Sequence, residues 1–270
     1  MEIKNTSIID NNDSLYTGFN ELDNLIGPLN AGLYVVGSRP GMGKTALLLN
    51  ITANLMANDN FKGKIVYVST NDSKQINLER LTSLITKIPI RVIQNDEIIS
   101  DEQLKLMDEH LILKMVNSNQ LNIITFNGQP KIDKISSIIQ QSKSPISILI
   151  IDCLQDFIKE NESSFEIQIE DIMESLKVLA SEQNILIIIS ASIERRVEQR
   201  SNKMPTSNDL IGNVEKYADV LLFLLRPEYY QIFDKNEKTY ANISVTKNNF
   251  GSTGEIELAT EMDKLLFKNK

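Results

Sequence analysis

The chain has 270 residues, 41% of them hydrophobic and 24% charged, with a formal net charge of −8, enough length to bury the core of one large α/β domain or two small ones. The acidic balance excludes a surface that grips nucleic acid everywhere, though it leaves room for a local basic strip. A lone Cys153 and a lone His110 exclude an internal disulfide and a multi-histidine metal site and fit a reducing cytoplasm, and neither a membrane-length apolar run nor a secretion signal is visible.

Residues 1–14 are polar, rich in Asn and Asp, and read as a flexible arm ahead of a single domain over 15–270. Short aliphatic runs then alternate with longer stretches of helical spacing. The runs Leu33–Gly37, Lys64–Ser69, Leu121–Thr125, Ile146–Asp152, Ile185–Ser190, Val220–Leu225 and Ala241–Lys247 read as strands. Several are apolar throughout, as strands covered on both faces of a parallel sheet must be. Helices are expected over Leu47–Ala57, Asp101–Val116, Lys131–Gln141 and Glu166–Gln183. Strand alternating with helix makes this an α/β chain of right-handed βαβ units, a mostly parallel twisted sheet flanked by helices. At the end, Tyr240–Lys247 and Glu255–Leu258 flank a Gly-containing loop and read as a C-terminal β-hairpin.

The first strand runs straight into Ser38, Arg39, Pro40, Gly41, Met42, Gly43, Lys44 and Thr45, and a helical pattern follows from Ala46. Phosphate binding needs backbone N–H groups turned inward, hence glycines, and a helix N-terminus whose dipole favours anions. Lys44 is then placed to reach the terminal phosphates and the Thr45 hydroxyl to hold Mg²⁺. Ser38 stands at the first position of the pattern, where glycine is usual, with Gly37 beside it. The partner motif is an aspartate closing a core strand, supplied by Asp152 after Ile146–Ile151, which would orient Mg²⁺ through water. ATP and Mg²⁺ are therefore the expected ligands of a P-loop NTPase. Cys153 reads as a small apolar packing residue, because a nucleophile would want a histidine partner.

With both motifs placed, the chain resembles the C-terminal motor domain of DnaB-type replicative helicases, in the hexameric RecA-like group. Thr17–Asp23 is similar to that family's lead-in, Arg39–Thr45 to its Walker A and Ile151–Gln155 to its Walker B region, with Cys153 where tyrosine is usual. Val197–Arg200, Asp209-Leu210, Ala218-Asp219 and Arg226–Tyr230 continue the register, and Lys247–Gly254 is similar to the loop that reaches into the next subunit. The resemblance implies an ATP-driven DNA helicase or translocase of replication or recombination, a homo-oligomeric ring, possible replication partners and a cytoplasmic site of action. The family's N-terminal helical collar is not expected here. Single-stranded DNA would meet the strip Arg195, Arg196, Arg200 and Lys203, which could equally be a solvated surface.

Against that family pattern, Asn71 occupies the place of the glutamate that polarises the attacking water. An asparagine can hydrogen-bond water but cannot take its proton. Asp72 is next to it, where strand alternation would aim it elsewhere. Asn249 stands where the arginine finger belongs, with Lys247 retained; Ser192 stands for the sensor glutamine, and Ile211 for an arginine of a DNA-facing loop. Binding without fast turnover is the expectation, with Lys44, Asp152, Asn71 and Lys247 as the catalytic set. The alternatives are a non-motor nucleotide-binding paralogue that regulates or scaffolds a helicase or recombination complex, and, more distantly, a small-molecule phosphotransferase on the same loop.

Overall fold

The computed structural model describes residues 14–95, 119–126, 128–142, 145–159, 163–230 and 239–270. The helix expected over Asp101–Val116 and nearly all of the N-terminal arm lie outside them. In chain order the elements are α1 (Asn20–Ile26), β1 (Gly32–Ser38), α2 (Lys44–Ala57), β2 (Ile65–Ser69), α3 (Lys74–Thr86), α4 (Ile90–Gln94), β3 (Leu121–Thr125), α5 (Ile132–Gln140) and β4 (Ile148–Asp152). There follow α6 (Phe165–Gln183), β5 (Leu186–Ser192), α7 (Val214–Tyr217), β6 (Val220–Leu225), β7 (Tyr240–Asn248), β8 (Gly254–Glu261) and β9 (Leu266–Lys268), with short 3₁₀ turns between several of them.

The strands form one sheet in the order β3-β2-β4-β5-β1-β6-β7-β8-β9. The six from β3 to β6 are parallel, and β7, β8 and β9 continue antiparallel. The expected mostly parallel sheet and C-terminal hairpin are both present. The central strands are buried along nearly their whole length because the pleat sends alternate side chains into two separate cores. Leu33 and Val35 of β1 face a core shared with α5 and α6, whereas Tyr34 and Val36 face one shared with α2, α3 and the hairpin. An aliphatic run without alternation is what that double coverage requires.

Local chemistry sets the helix ends. Ser73 caps α3 by accepting the Ile76 N–H, and Ser164 caps α6 by accepting that of Ile167. Helix α6 stops at Asn184, which takes the left-handed conformation that asparagine tolerates better than most residues.

The parallel and antiparallel parts are stitched at Asp219, just ahead of β6. Its carboxylate accepts the Leu33 N–H at 2.8 Å, the Lys177 ammonium at 2.5 Å and the Asn249 side-chain amide at 3.1 Å. Burial pushes its carboxyl up, but Lys177 and the backbone N–H of Leu33 outweigh it and hold the group below the ordinary carboxylate range. A folded-state value depressed in this way gives stability that is present above the unfolded value and lost as the pH falls. Asp219→Asn is thus expected to cost about 2–3 kcal/mol at neutral pH. Its urea midpoint should also depend less on pH below about 4 than the wild type's, which denaturation at a series of pH values would measure.

Candidate functional site

Strand β1 ends in the middle of the sheet, between β5 and β6. Ligands of such sheets sit beyond the carboxyl ends of the strands, where the connections diverge. The chain leaves β1 at Ser38, turns through Arg39–Gly43 and enters α2 at Lys44, two residues before the helical pattern expected from Ala46. Gly41 and Gly43 have φ of 82° and 96°, a conformation that side chains resist. A Cβ on Gly43 would also lie 3.3 Å from the Phe267 ring of β9. The turn therefore presses against the last strand while opening the first amides of α2, with no acidic residue in the first helical turn. Those amides have no partner within the helix and favour an anion.

Lys44 folds over the loop. Its ammonium donates to the Ser38 carbonyl at 3.1 Å and to Ser38 Oγ at 3.3 Å. Burial pulls its pKa below the ordinary lysine value, partly opposed by the negative charge of Asp152. Asp152 closes β4, and Asp152 Oδ2 accepts the Thr45 hydroxyl at 2.5 Å. Oδ1 accepts the Ser190 hydroxyl, and Tyr67 Oη lies 3.4 Å from Oδ2. A hydroxyl and a carboxylate in contact are hard oxygen donors, and Mg²⁺ takes one or two such protein ligands while keeping several waters. The residues present fit that ion.

A cavity of about 380 Å³ opens here, lined among others by Gly41, Lys44, Thr45, Asn71, Asp72 and Asp152. Of the expected cradle residues, Pro40, Gly41, Gly43, Lys44 and Thr45 reach it. The Ser38 side chain lies beneath Lys44, and Met42 is buried, its sulfur accepting the Arg226 N–H. Arg39 turns away: Nε pairs with Glu198 at 3.0 Å and Nη1 donates to the Ile193 carbonyl. Asn71 donates its amide to Asp156 at 2.6 Å. Lys247 donates to the Glu215 carbonyl at 2.7 Å and does not line the cavity. Ser192 closes β5, with its backbone N–H and carbonyl both held by the Gln155 side chain.

The cavity also recruits residues outside the expected site set. Arg226 follows β6, and its position beyond a strand adjoining β1 was the available signal. Arg80 comes from α3, where Nη1 meets Asp72 Oδ2 at 2.5 Å, and Asp72 itself lines the cavity. The expectation that Asp72 would point elsewhere is corrected. Residues 70–72 are a bend beyond the end of β2, so the alternation that holds within a strand does not extend to them.

The arginines of the basic strip are tied to acids. Arg196 pairs with Glu194 at 2.6 Å, Arg200 with Asp209 at 2.6 Å, and Lys203 donates to the carbonyls of Glu198 and Arg200. Arg195 lies 3.2 Å from Glu198 with most of its side chain in solvent. Its exposure leaves it free to meet a second anion.

The model of the DnaB-like helicase C-terminal domain matches residues 14–269. The chain belongs to that family. It is 30% identical over 286 residues to the replicative DNA helicase DnaB of Rickettsia prowazekii, covering 92% of this chain and 57% of that protein. A probable plasmid replicative DNA helicase of Chlamydia muridarum is 28% identical over 258 residues, covering 90% and 53%. The chain thus spans about half the length of these curated relatives. Among solved structures, the ATPase domain of G40P superposes with a TM-score of 0.85 at 26% identity, covering 96% of this chain and 92% of that one. A DnaB-like replicative helicase studied with primase gives the same score and identity over 97% and 63%. The RecA-like core of the DnaB-like family is therefore the fold of this chain. Among the described residues, no helix is long and apolar enough to cross a membrane.

Cys153 stands beside the cavity, its thiol pushed up to about 12 by burial and by Asp156, whose carboxylate lies 3.2 Å from the sulfur. So little thiolate at pH 8 makes iodoacetamide labelling of the native protein at least about tenfold slower than labelling in denaturing urea. Quenched mass spectrometry would measure the ratio.

Proposed function

We propose that the chain binds ATP with Mg²⁺ through Ser38–Thr45 and Asp152 and serves as the ATPase part of a DnaB-type helicase ring on single-stranded DNA during replication. The observation that carries this reading is the junction of α2 and β4, where Lys44, Thr45 and Asp152 meet in one cavity. The α2 amides and Lys44 would hold the phosphates, and Thr45 and Asp152 would hold the ion directly or through water. Bound Mg²⁺ supplies neutralisation of the charge that develops on the transferred phosphoryl group. Family membership and the helicase names of the relatives support the DNA-directed part.

The same reading makes the motor slow. A trans arginine accounts for roughly 10³–10⁵ in rate in related NTPases, and the hairpin carries Asn249 at that position. That amide is turned to Asp219 of its own chain, and Lys247 is engaged at Glu215. These inward contacts favour a second reading, a nucleotide-dependent scaffold beside a faster helicase.

Light scattering coupled to size exclusion, run with and without ATP–Mg²⁺ while phosphate release is followed, tests both. Ring assembly with slow, Lys44-dependent turnover is the expected outcome. Assembly with no turnover favours the scaffold, and a chain that neither binds ATP nor assembles overturns both. For DNA, Arg195→Ala is expected to weaken single-strand binding alike across sequences. It should also shrink the salt dependence of log K by about 0.7, the contribution of one phosphate contact, as read by anisotropy titrations at several salt concentrations.

A further inference from the structure

The turn after β2 sets two carboxylates on opposite sides of Asn71. On one side is Asp156, whose Oδ2 accepts the Asn71 amide at 2.6 Å, the Cys153 thiol at 3.2 Å and the Thr70 hydroxyl. It lies in a neighbouring depression with Thr70, Gln129 and Gln155 and does not line the cradle cavity. On the other side is Asp72, which shares the cradle cavity with Lys44, Thr45 and Asp152. Among the described residues only Arg80 bonds the Asp72 carboxylate, at Oδ2, so Oδ1 keeps its lone pairs for another donor.

The turn that carries Asp72 is fixed from below. Asn77 is fully buried and donates to Ser69 Oγ at 2.9 Å and to the Ser73 carbonyl at 2.9 Å. Ser73 in turn caps α3. Arg80, one face of α3 away, holds Oδ2 at 2.5 Å with both side chains only 25–30% exposed. A carboxylate held by a capped helix and by an arginine is pre-organised in a way that a surface aspartate is not.

We propose that Asp72 is the water-activating carboxylate of this chain, moved one position along from the place where the family keeps its glutamate. The inference rests on the ATPase reading above. As the water oxygen bonds to the γ-phosphorus, Asp72 Oδ1 takes one of the water's protons. The bond from phosphorus to the β–γ bridging oxygen breaks, and its electron pair leaves with ADP. The proton then passes from Asp72 to the released phosphate or to solvent, and the carboxylate is regenerated. Asn71 cannot take that proton, and Asp156 lies in the neighbouring depression outside the cradle cavity. The slow turnover expected from Asn249 is then a residual rate that runs through Asp72.

The test compares wild type, Lys44→Ala, Asp72→Asn, Asp156→Asn and the double variant Asp72→Asn/Asn71→Glu in the full chain. It measures single-turnover hydrolysis of ATP–Mg²⁺, affinity for a fluorescent ADP, and trapping of ADP with aluminium fluoride. Asp72→Asn is expected to lose about 100-fold or more in rate, the usual scale for a general base. It should keep its ADP affinity and fail to trap the aluminium fluoride complex, and Asn71→Glu in that background should return part of both. Wild-type rate and trapping in Asp72→Asn would overturn the inference. So would loss of ADP affinity in step with rate, or the larger loss in Asp156→Asn. A wild type that binds ADP but shows no Lys44-dependent hydrolysis also overturns it while sparing the nucleotide-binding reading, whereas failure to bind ADP sinks that reading itself.

Discussion

One hydrogen bond joins the two sequence motifs of this protein: Thr45 Oγ1 to Asp152 Oδ2, between the first turn of α2 and the end of β4. For that contact to exist, β1 must stop in the middle of the sheet, α2 must start at once, and β4 must end level with the helix. Every stage of that arrangement depends on backbone geometry. Glycines at positions 41 and 43 let the loop reverse, and the doubly covered strands leave no freedom in register. The Ser190 hydroxyl on β5, the strand between β4 and β1, also reaches Asp152. Three neighbouring elements therefore fix one carboxylate.

What the sequence made legible follows from what it repeats. Strands buried on both faces must be continuous aliphatic runs, so β1, β4, β5 and β6 stand out, as does the glycine-rich turn between the first strand and its helix. Helix α3 was not anticipated because its buried face includes Asn77, Ser83 and Thr86 alongside Leu81 and Leu84. Polar residues that find partners indoors erase the apolar period. The short β9 and α1 carry too few residues for any period to register. In the site, Lys44 and Thr45 stand out through the fixed spacing of the glycine-rich pattern, and Asp152 through its place at the end of an aliphatic strand. Arg80 does not, since it enters the cavity from α3, whose apolar period is erased, and Arg226 figures only in the register of the resemblance. The direction of Asp72 was misjudged by carrying strand alternation past a strand's end.

Charge behaves in the same way. Counting Arg195, Arg196, Arg200 and Lys203 suggests an anion-binding strip, but Glu194, Glu198 and Asp209 lie in the same loops and absorb much of it. Burial pushes the Asp209 carboxyl up, yet the Thr206 N–H and Arg200 bring it below the ordinary range. Glu198 reaches further, pairing with both Arg195 and the cradle's Arg39. The loop after β5 and the loop after β1 are thus mechanically tied, through the Glu198 carboxylate and through the Arg39 bond to the Ile193 carbonyl, which would make small displacements of one felt by the other.

The wall behind the cradle comes from the far end of the chain. Asn50, in α2, donates to the Leu265 carbonyl across 215 positions of sequence and accepts the Phe267 N–H, while the Phe267 ring closes on Gly43. Such a contact forms only after nearly everything between has been synthesised, and closing so long a loop is slow. On a ribosome this loop would emerge well before β9 and lack that wall until β9 follows. Any nucleotide held at this loop would then meet a finished wall only once β9 is in place, well after the most recognisable motif of the protein has been made.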